Sequence, residues 1–356
     1  MRPFQYIRAD SPQAAIVGFG NANESDGSDE RSRGSQYLAG GTTLMDLMKL
    51  GVMQPSAVID INSLPTDNLG QIELGPRGLR LGAMVRMSDA AEHPDIIERY
   101  PVIAQSLSLA ASTQIRNMAS LGGNVLQRTR CTYFRDTSYP DCNKRSPGSG
   151  CAAMDGINRA HAVLGISGDC IASYPGDFAQ ALTALDAQVE ILGADGTTRM
   201  LALDDFYRLP GDTPERDTTL AVDEIVLSVD LPDEEFGAHH TYLKLRDRLS
   251  YAFALVSVAA ALELDGNAAE GVMTYANNGR QTLQATLAAD ALDFTPYIST
   301  FRLLASGARD WNRQLFDLNG LSSTDLDMRL SAAKLTDAPR IASAPPGERK
   351  LPKKPT

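Results

Sequence analysis

The sequence predicts an α+β chain in two domains, a larger one over residues 1–234 and a smaller α+β one over residues 235–336. Three observations predict this. At 356 residues the chain is long for one core. Short strand-like runs alternate with amphipathic helical runs, and two turns, Gly75-Pro-Arg-Gly78 and Gly193 to Gly196, read as hairpin connections. A composition shift at Pro232 to Gly237 marks the boundary, beyond which strands precede an Ala/Leu-rich helical stretch.

Tyr6 and Ile7 form a short strand, and Asp10, Ser11 and Pro12 start a helix to about Val17. Gly18 to Gly34 reads as a flexible surface loop. A strand at Gln36 leads through Gly40-Gly-Thr-Thr43 into a helix with Leu44, Leu47, Met48 and Val52 on one face. Ala57 to Asn62 is a strand, Pro65 to Asn68 a turn, and Gln71–Leu74 with Leu79–Leu81 a hairpin. Ser88 to Ala91 starts a helix that Pro94 interrupts, and Val102 to Ser112 is a closely packed helix. Asp177 to Asp186 is helical, Val189–Leu192 and Thr198–Leu201 pair as a hairpin, and Glu224 to Leu231 is a strand. In the second domain His240–Leu245 and Ala254–Leu264 are strands, with Asp265-Gly266 turning into another. Gln281 to Lys334 reads as helical, and residues 337–356, rich in Pro, Lys and Arg, as a mobile tail.

Acidic residues outnumber basic ones 44 to 33, a formal charge of −11, which argues against general nucleic-acid binding. No apolar run is long enough to span a bilayer, and the N-terminus lacks an export h-region. The expected location is therefore cytoplasmic, or periplasmic if a partner subunit carries the chain out.

Two glycine turns and four cysteines carry the chemistry. Ala39 to Leu44 and Ser120-Leu-Gly-Gly-Asn124 offer backbone N–H groups and hydroxyls from Thr42, Thr43 and Ser120, suited to phosphate oxygens. A Gly-Gly turn before a helix is, alone, more often only a turn. All the cysteines, Cys131, Cys142, Cys151 and Cys170, fall between the second turn and Tyr174-Pro-Gly-Asp177. Four thiolates suit a 4Fe–4S cluster or structural zinc, and the absence of a Cys-x-x-Cys knuckle favours the cluster. The remaining alternative is four buried structural cysteines. His161 sits among them and could orient the loop or simply be packed there. No nucleophile elbow or P-loop lysine is present, and no catalytic residue is expected.

The paired turns, with Ile115-Arg-Asn117, Asp60-Ile-Asn62, Gly82-Ala-Met-Val-Arg86, Glu224-Ile-Val-Leu-Ser228 and Tyr242-Leu-Lys-Leu-Arg-Asp-Arg248, resemble the FAD-binding medium subunit of the xanthine dehydrogenase and carbon monoxide dehydrogenase family of molybdenum hydroxylases. The resemblance runs from about Phe4 to Leu264. In ordinary members a Gly-Asp pair closely follows the second turn. Here it is displaced to Gly176-Asp177 by an insertion at about residues 125–175 that holds the cysteines. That layout is similar to FAD subunits with an extra 4Fe–4S cluster, those of periplasmic-type aldehyde oxidoreductases above all.

The resemblance implies a two-part FAD-binding domain of the vanillyl-alcohol-oxidase (PCMH) type over residues 1–234. It implies FAD contacts from Tyr37, Leu38, Ala39, Gly40, Gly41, Thr42, Thr43 and Leu44, from Ser120, Leu121, Gly122, Gly123 and Asn124, and from Asp177, Ile225 and Lys244. Asp177 would accept ribityl or adenosine hydroxyl hydrogen bonds, and Lys244 would stand at the flavin. Read without the resemblance, Asp177 is also a good helix cap and Lys244 a surface charge. The implied role is electron transfer in a heterotrimer oxidising aldehydes, with a molybdenum-cofactor large subunit, a 2Fe–2S small subunit and an external acceptor. A xanthine dehydrogenase-like or 4-hydroxybenzoyl-CoA reductase-like complex is an alternative, as is a zinc-stabilised assembly module without flavin.

Overall fold

The computed structural model describes residues 2–26, 34–233, 240–265, 268–277, 282–292 and 325–335. The N-terminal unit is a three-stranded parallel sheet. Strand β1 (Gln5–Arg8) leads through helix α1 (Pro12–Asp26) to β2 (Ser35–Leu38), and α2 (Leu44–Lys49) carries the chain to β3 (Ala57–Asp60) between them. Parallel neighbours need such crossovers, and each helix here covers the sheet. Ala15, Ile16 and Phe19 of α1 pack on Ala57 and Ile59, and Leu47 and Met48 of α2 pack with Val58 in a separate cluster.

The expected loop from Gly18 is instead helix up to Asp26. Gly18 and Gly20 lower helix propensity, but Phe19 is buried and its ring stacks 4.7 Å from Tyr37. That burial outweighs the local preference.

The second unit begins after α3 (Thr66–Leu69), a short helix where a turn was expected. Strands β4 (Ile72–Gly75) and β5 (Gly78–Gly82) form the anticipated hairpin. Helices α4 (Met87–Glu92), α5 (Pro94–Arg99) and α6 (Pro101–Leu109) follow, the last two with proline at their first position. Helix α6 stops three residues short of the expected Ser112, where Ala111 has a left-handed φ of 47°. Then come α7 (Thr113–Arg116), α8 (Leu121–Val125) and α9 (Thr132–Arg135), and after the cysteine segment α10 (Asp177–Thr183), β6 (Gln188–Leu192), β7 (Thr198–Ala202), α11 (Leu203–Phe206) and β8 (Ile225–Leu231). The sheet order β4-β5-β8-β6-β7 is antiparallel throughout. Its core holds Leu81, Ile103, Phe178, Val229 and Phe206, all fully buried.

Strand β9 (His240–Leu245) pairs with β10 (Val256–Asp265), which pairs with β11 (Ala268–Asn277). Tyr242, Ala259 and Ala261 join the main core, so this sheet closes against α6 and α10. The helical expectation for Gln281 to Lys334 is corrected where residues are described. Strands β12 (Thr282–Leu292) and β13 (Asp325–Leu335) pair in parallel. Leu283, Ala285 and Leu287 alternate with Thr282, Gln284 and Thr286, a short period of two that the Ala/Leu composition masks. Most of the boundary segment at Pro232 to Gly237 and the expected tail lie outside the described residues. Among the described residues no helix is long and apolar enough to cross a membrane.

Candidate functional site

A cleft of about 2270 Å³ opens between the two units, and the two glycine turns meet in it. They abut because one residue lacks a side chain. A Cβ on Gly40 would lie 1.9 Å from the Met118 carbonyl oxygen, and one on Gly122 would lie 2.8 Å from Ala83 Cβ. Gly41 turns the chain with φ 73°. Ser120 Oγ accepts the Gly123 N–H at 3.2 Å, which fixes the second turn. Arg86 and Asn62 tie the turns together. Arg86 Nη1 donates to the Met118 carbonyl at 2.6 Å and Nη2 to Asn62 Oδ1 at 3.3 Å, while Asn62 Nδ2 donates to the Ala39 carbonyl at 2.9 Å. This accounts for Asp60-Ile-Asn62 and Gly82 to Arg86 as motifs: they brace the turns.

Of the residues expected at this site, Tyr37, Ala39 through Leu44, Ser120, Gly122, Gly123, Asn124, Asp177 and Ile225 line the cleft. Leu38, Leu121 and Lys244 do not. Leu121 is fully buried. Lys244, expected at the flavin, is wholly buried behind the cleft, its ammonium 2.7 Å from Asp177 Oδ2 and 3.0 Å from the Leu109 carbonyl. Asp177 is held on its other oxygen by Tyr242 Oη at 2.7 Å. Burial pushes its carboxyl above the ordinary value, and the Lys244 charge and hydrogen bonds oppose that. Lys244 and Arg246 both donate to the Leu109 carbonyl, so two cations sit at the last turn of α6.

Several polar atoms at the cleft are buried without a partner among the described residues: Tyr37 Oη, Arg130 Nε and Arg135 Nη1. Burial raises the Tyr37 phenol well above its ordinary value. Burial, then the neighbouring Arg135, lowers Arg130, whose guanidinium lies 5.4 Å from the centre of the Phe253 ring. A ligand rich in hydroxyl and phosphate oxygens suits these atoms. The arginines were not anticipated, although three of the eight residues from Arg128 to Arg135 are arginine.

The cysteine segment leaves and rejoins this cleft through a tied neck. Thr129 Oγ1 donates to the Ser173 carbonyl at 2.8 Å, and Tyr174 and Tyr207 hydroxyls both reach the Val125 carbonyl, at 3.1 and 2.9 Å. Asn124 and Asp177, 53 positions apart, thus share one cleft. Cys142 and Cys151 face each other across a single antiparallel bridge. Asn143 and Gly150 close the loop between them through a backbone bond of 2.7 Å and an Asn143 side-chain bond of 2.8 Å. Gly148 and Gly150 take φ of 81° and 98° there. Arg145 pins Tyr133 and Phe134 by their carbonyls, and Phe134 and Cys142 pack on α2 and β3.

Cys131, Cys142, Cys151 and Cys170 all line one small void of about 10 Å³, and none is in a disulfide. Burial pushes the Cys131 thiol up to about 11 and raises Cys170 as well. Among the described residues no group of three or more His, Cys, Asp or Glu is arranged to hold a single metal ion. Cys131 lines both void and cleft, and His161 Nε2 lies 3.1 Å from its sulfur. Burial lowers the His161 imidazole below its ordinary value.

Residues 2–234 match the family described as the FAD binding domain in molybdopterin dehydrogenase. The chain is 47% identical over 267 residues to the aldehyde oxidoreductase FAD-binding subunit PaoB of Escherichia coli (strain K12), covering 75% of this chain and 80% of that one. It is 26% identical to the glyceraldehyde dehydrogenase medium chain of Sulfolobus acidocaldarius, over 76% and 73% of the two chains. Among solved structures, carbon monoxide dehydrogenase from Hydrogenophaga pseudoflava aligns with a TM-score of 0.55 at 23% identity, over 78% and 76%. The same enzyme from Oligotropha carboxidovorans aligns with 0.54 at 21%, over 77% and 75%. These two likenesses establish the fold, mixed helix and sheet of the PCMH type.

Proposed function

This chain belongs to the family of FAD-binding domains in molybdopterin dehydrogenases, and on that footing we propose that it is the electron-transfer subunit, carrying FAD and a 4Fe–4S cluster, of a molybdenum-dependent aldehyde oxidoreductase. As a flavin-binding oxidoreductase subunit it has no need of a nucleophile of its own, because the cofactor supplies the redox chemistry. What carries the finer reading is the convergence of four free cysteines on one void, with Cys131 shared between that void and the cleft.

The two glycine turns hold the FAD pyrophosphate, with Arg130 and Arg135 as its counter-charge, and Tyr37 and Asp177 meet its hydroxyls. Lys244 acts from behind, as the ion-pair partner that keeps Asp177 ionised. Cys131, Cys142, Cys151 and Cys170 ligate the cluster. Four free cysteines around one void, without a Cys-x-x-Cys knuckle, support a cluster over zinc. Residues 235–336 form a C-terminal domain, whose strands β9 and β10 contribute to the core of the FAD-binding domain. A molybdenum-cofactor large subunit and a 2Fe–2S small subunit complete the assembly, which delivers electrons through this chain to an external acceptor. The likeness to the FAD-binding subunit PaoB favours aldehydes as the substrate class.

The deciding experiment is iron, sulfide, zinc and flavin analysis of the chain purified under anaerobic conditions. About four irons with matching sulfide and one flavin per chain are expected. Zinc without flavin sinks the reading in favour of an assembly module. Turnover of the assembled complex on purines or aroyl-CoA thioesters, and not on aldehydes, replaces the substrate class.

A further inference from the structure

Among the described residues His161 is the one buried histidine placed against a cysteine sulfur, and it stands where the cysteine void meets the cleft. Its backbone is fixed on both sides: the His161 N–H donates to the Asn158 carbonyl at 2.9 Å, and the Ala162 N–H to the Ile171 carbonyl at 3.0 Å. The ring lies 6.0 Å from that of Tyr133, whose hydroxyl accepts the Ile157 N–H at 2.6 Å. The imidazole is thus held in place by its loop. Its Nδ1 is buried with no hydrogen-bond partner among the described residues, which leaves Nε2 as its one polar contact.

The tautomer follows from the sulfur. A ligating cysteine is a thiolate, which only accepts hydrogen bonds. Nε2 then carries the proton, and Nδ1 is left as a buried lone pair. Hydrogen bonds to cluster sulfurs are one of the levers that set a cluster's potential, because a donor favours the more negative, reduced state. Of the four cysteines only Cys131 also lines the cleft, so the sulfur that receives this bond faces the flavin site.

We propose that His161 is a positioning residue that donates an Nε2–H hydrogen bond to the Cys131 thiolate, raises the midpoint potential of the cluster, and thereby matches it to the neighbouring flavin for one-electron exchange. The inference rests on the cluster reading above and adds a role to a residue outside the ligand set.

The test uses the full chain, purified anaerobically with its cofactors, as wild type, His161→Leu and His161→Gln. Iron and sulfide are counted, the cluster is titrated potentiometrically by EPR, and wild type with 15N-labelled histidine is examined by pulsed EPR. Wild type is expected to show a weakly coupled histidine nitrogen. His161→Leu is expected to keep its iron, titrate at lower potential and show an altered signal from the reduced cluster. His161→Gln, which retains an N–H donor, is expected to recover part of the shift. An iron-replete His161→Leu with unchanged potential overturns the inference and leaves the cluster reading standing. If His161→Leu loses its iron, the labelled wild type decides: a coupled nitrogen supports the role and its absence overturns it. Wild type free of iron overturns the cluster reading itself.

Discussion

Replacing Asp177 by Asn tests whether the buried pair with Lys244 is one structural unit. The Lys244 side chain is 0% exposed and that of Asp177 is 7%, with 2.7 Å between charges. Asn keeps the shape and an acceptor oxygen but loses the charge, so the Lys244 ammonium is left in the core facing only neutral acceptors, the amide oxygen and the Leu109 carbonyl. Breaking a buried pair by removing one partner costs about 3–5 kcal/mol, because the other charge stays desolvated. For a chain of this size, at about 2–4 °C per kcal/mol, that is a fall of roughly 6–20 °C in Tm. Asp177→Asn with Lys244→Met removes both charges and is expected to recover much of the loss, giving a coupling far from additive. Thermal unfolding of the full chain by circular dichroism reads all three variants. An Asp177→Asn variant within about 1 kcal/mol of wild type, or strictly additive losses in the double variant, refutes the pairing. Flavin fluorescence on the same samples shows whether Asp177 also holds the ligand.

Gly40→Ala places a methyl 1.9 Å from the Met118 carbonyl oxygen and forces the two turns apart; FAD affinity is expected to fall at least about tenfold, a loss of about 1.4 kcal/mol, as read by flavin retention on dialysis. Cys170→Ser is expected to lower iron below the wild-type complement while flavin stays bound, and unchanged iron in this variant removes Cys170 from the ligand set. Hydrogen bonds from Arg199 at 2.9 and 3.0 Å hold the Glu224 carboxyl below its ordinary value. Its contribution, about 0.2–1 kcal/mol for a pair whose arginine is exposed, is therefore present above the unfolded value of about 4.5 and lost as pH falls through the folded one. Glu224→Gln should flatten the acid limb of stability against pH by that amount, as measured by urea unfolding at several pH values.

Much of the N-terminal domain is legible from local pattern. The hairpin of β4 and β5 follows from Gly75-Pro-Arg-Gly78 between apolar runs, and α6 follows from its apolar run, whereas Pro94, read as an interruption, instead opens α5. The glycine turns are legible as turns because a Gly-Gly pair before a helical run has few other uses. Pattern misleads where long-range burial overrides it. Gly18 and Gly20 signal a loop, yet the contact of Phe19 with Tyr37 keeps α1 helical to Asp26. Likewise, an Ala/Leu-rich composition hides the two-residue alternation of β12 and β13.

By itself the sequence determined the family, the two glycine turns and the concentration of every cysteine in one insertion, because these depend on residue identity and spacing along the chain. Only the tertiary structure decided what each group faces. It made Lys244 a buried ion-pair partner of Asp177. It showed that Gly40 is required by the backbone of Met118 as well as by any ligand. It brought Arg130, Arg135 and Tyr37 to the cleft with polar atoms unpaired. It also set His161 against Cys131, thirty positions away, at the boundary between cleft and void. Side-chain direction and desolvation depend on how distant segments close on one another, and no spacing along a chain encodes them directly.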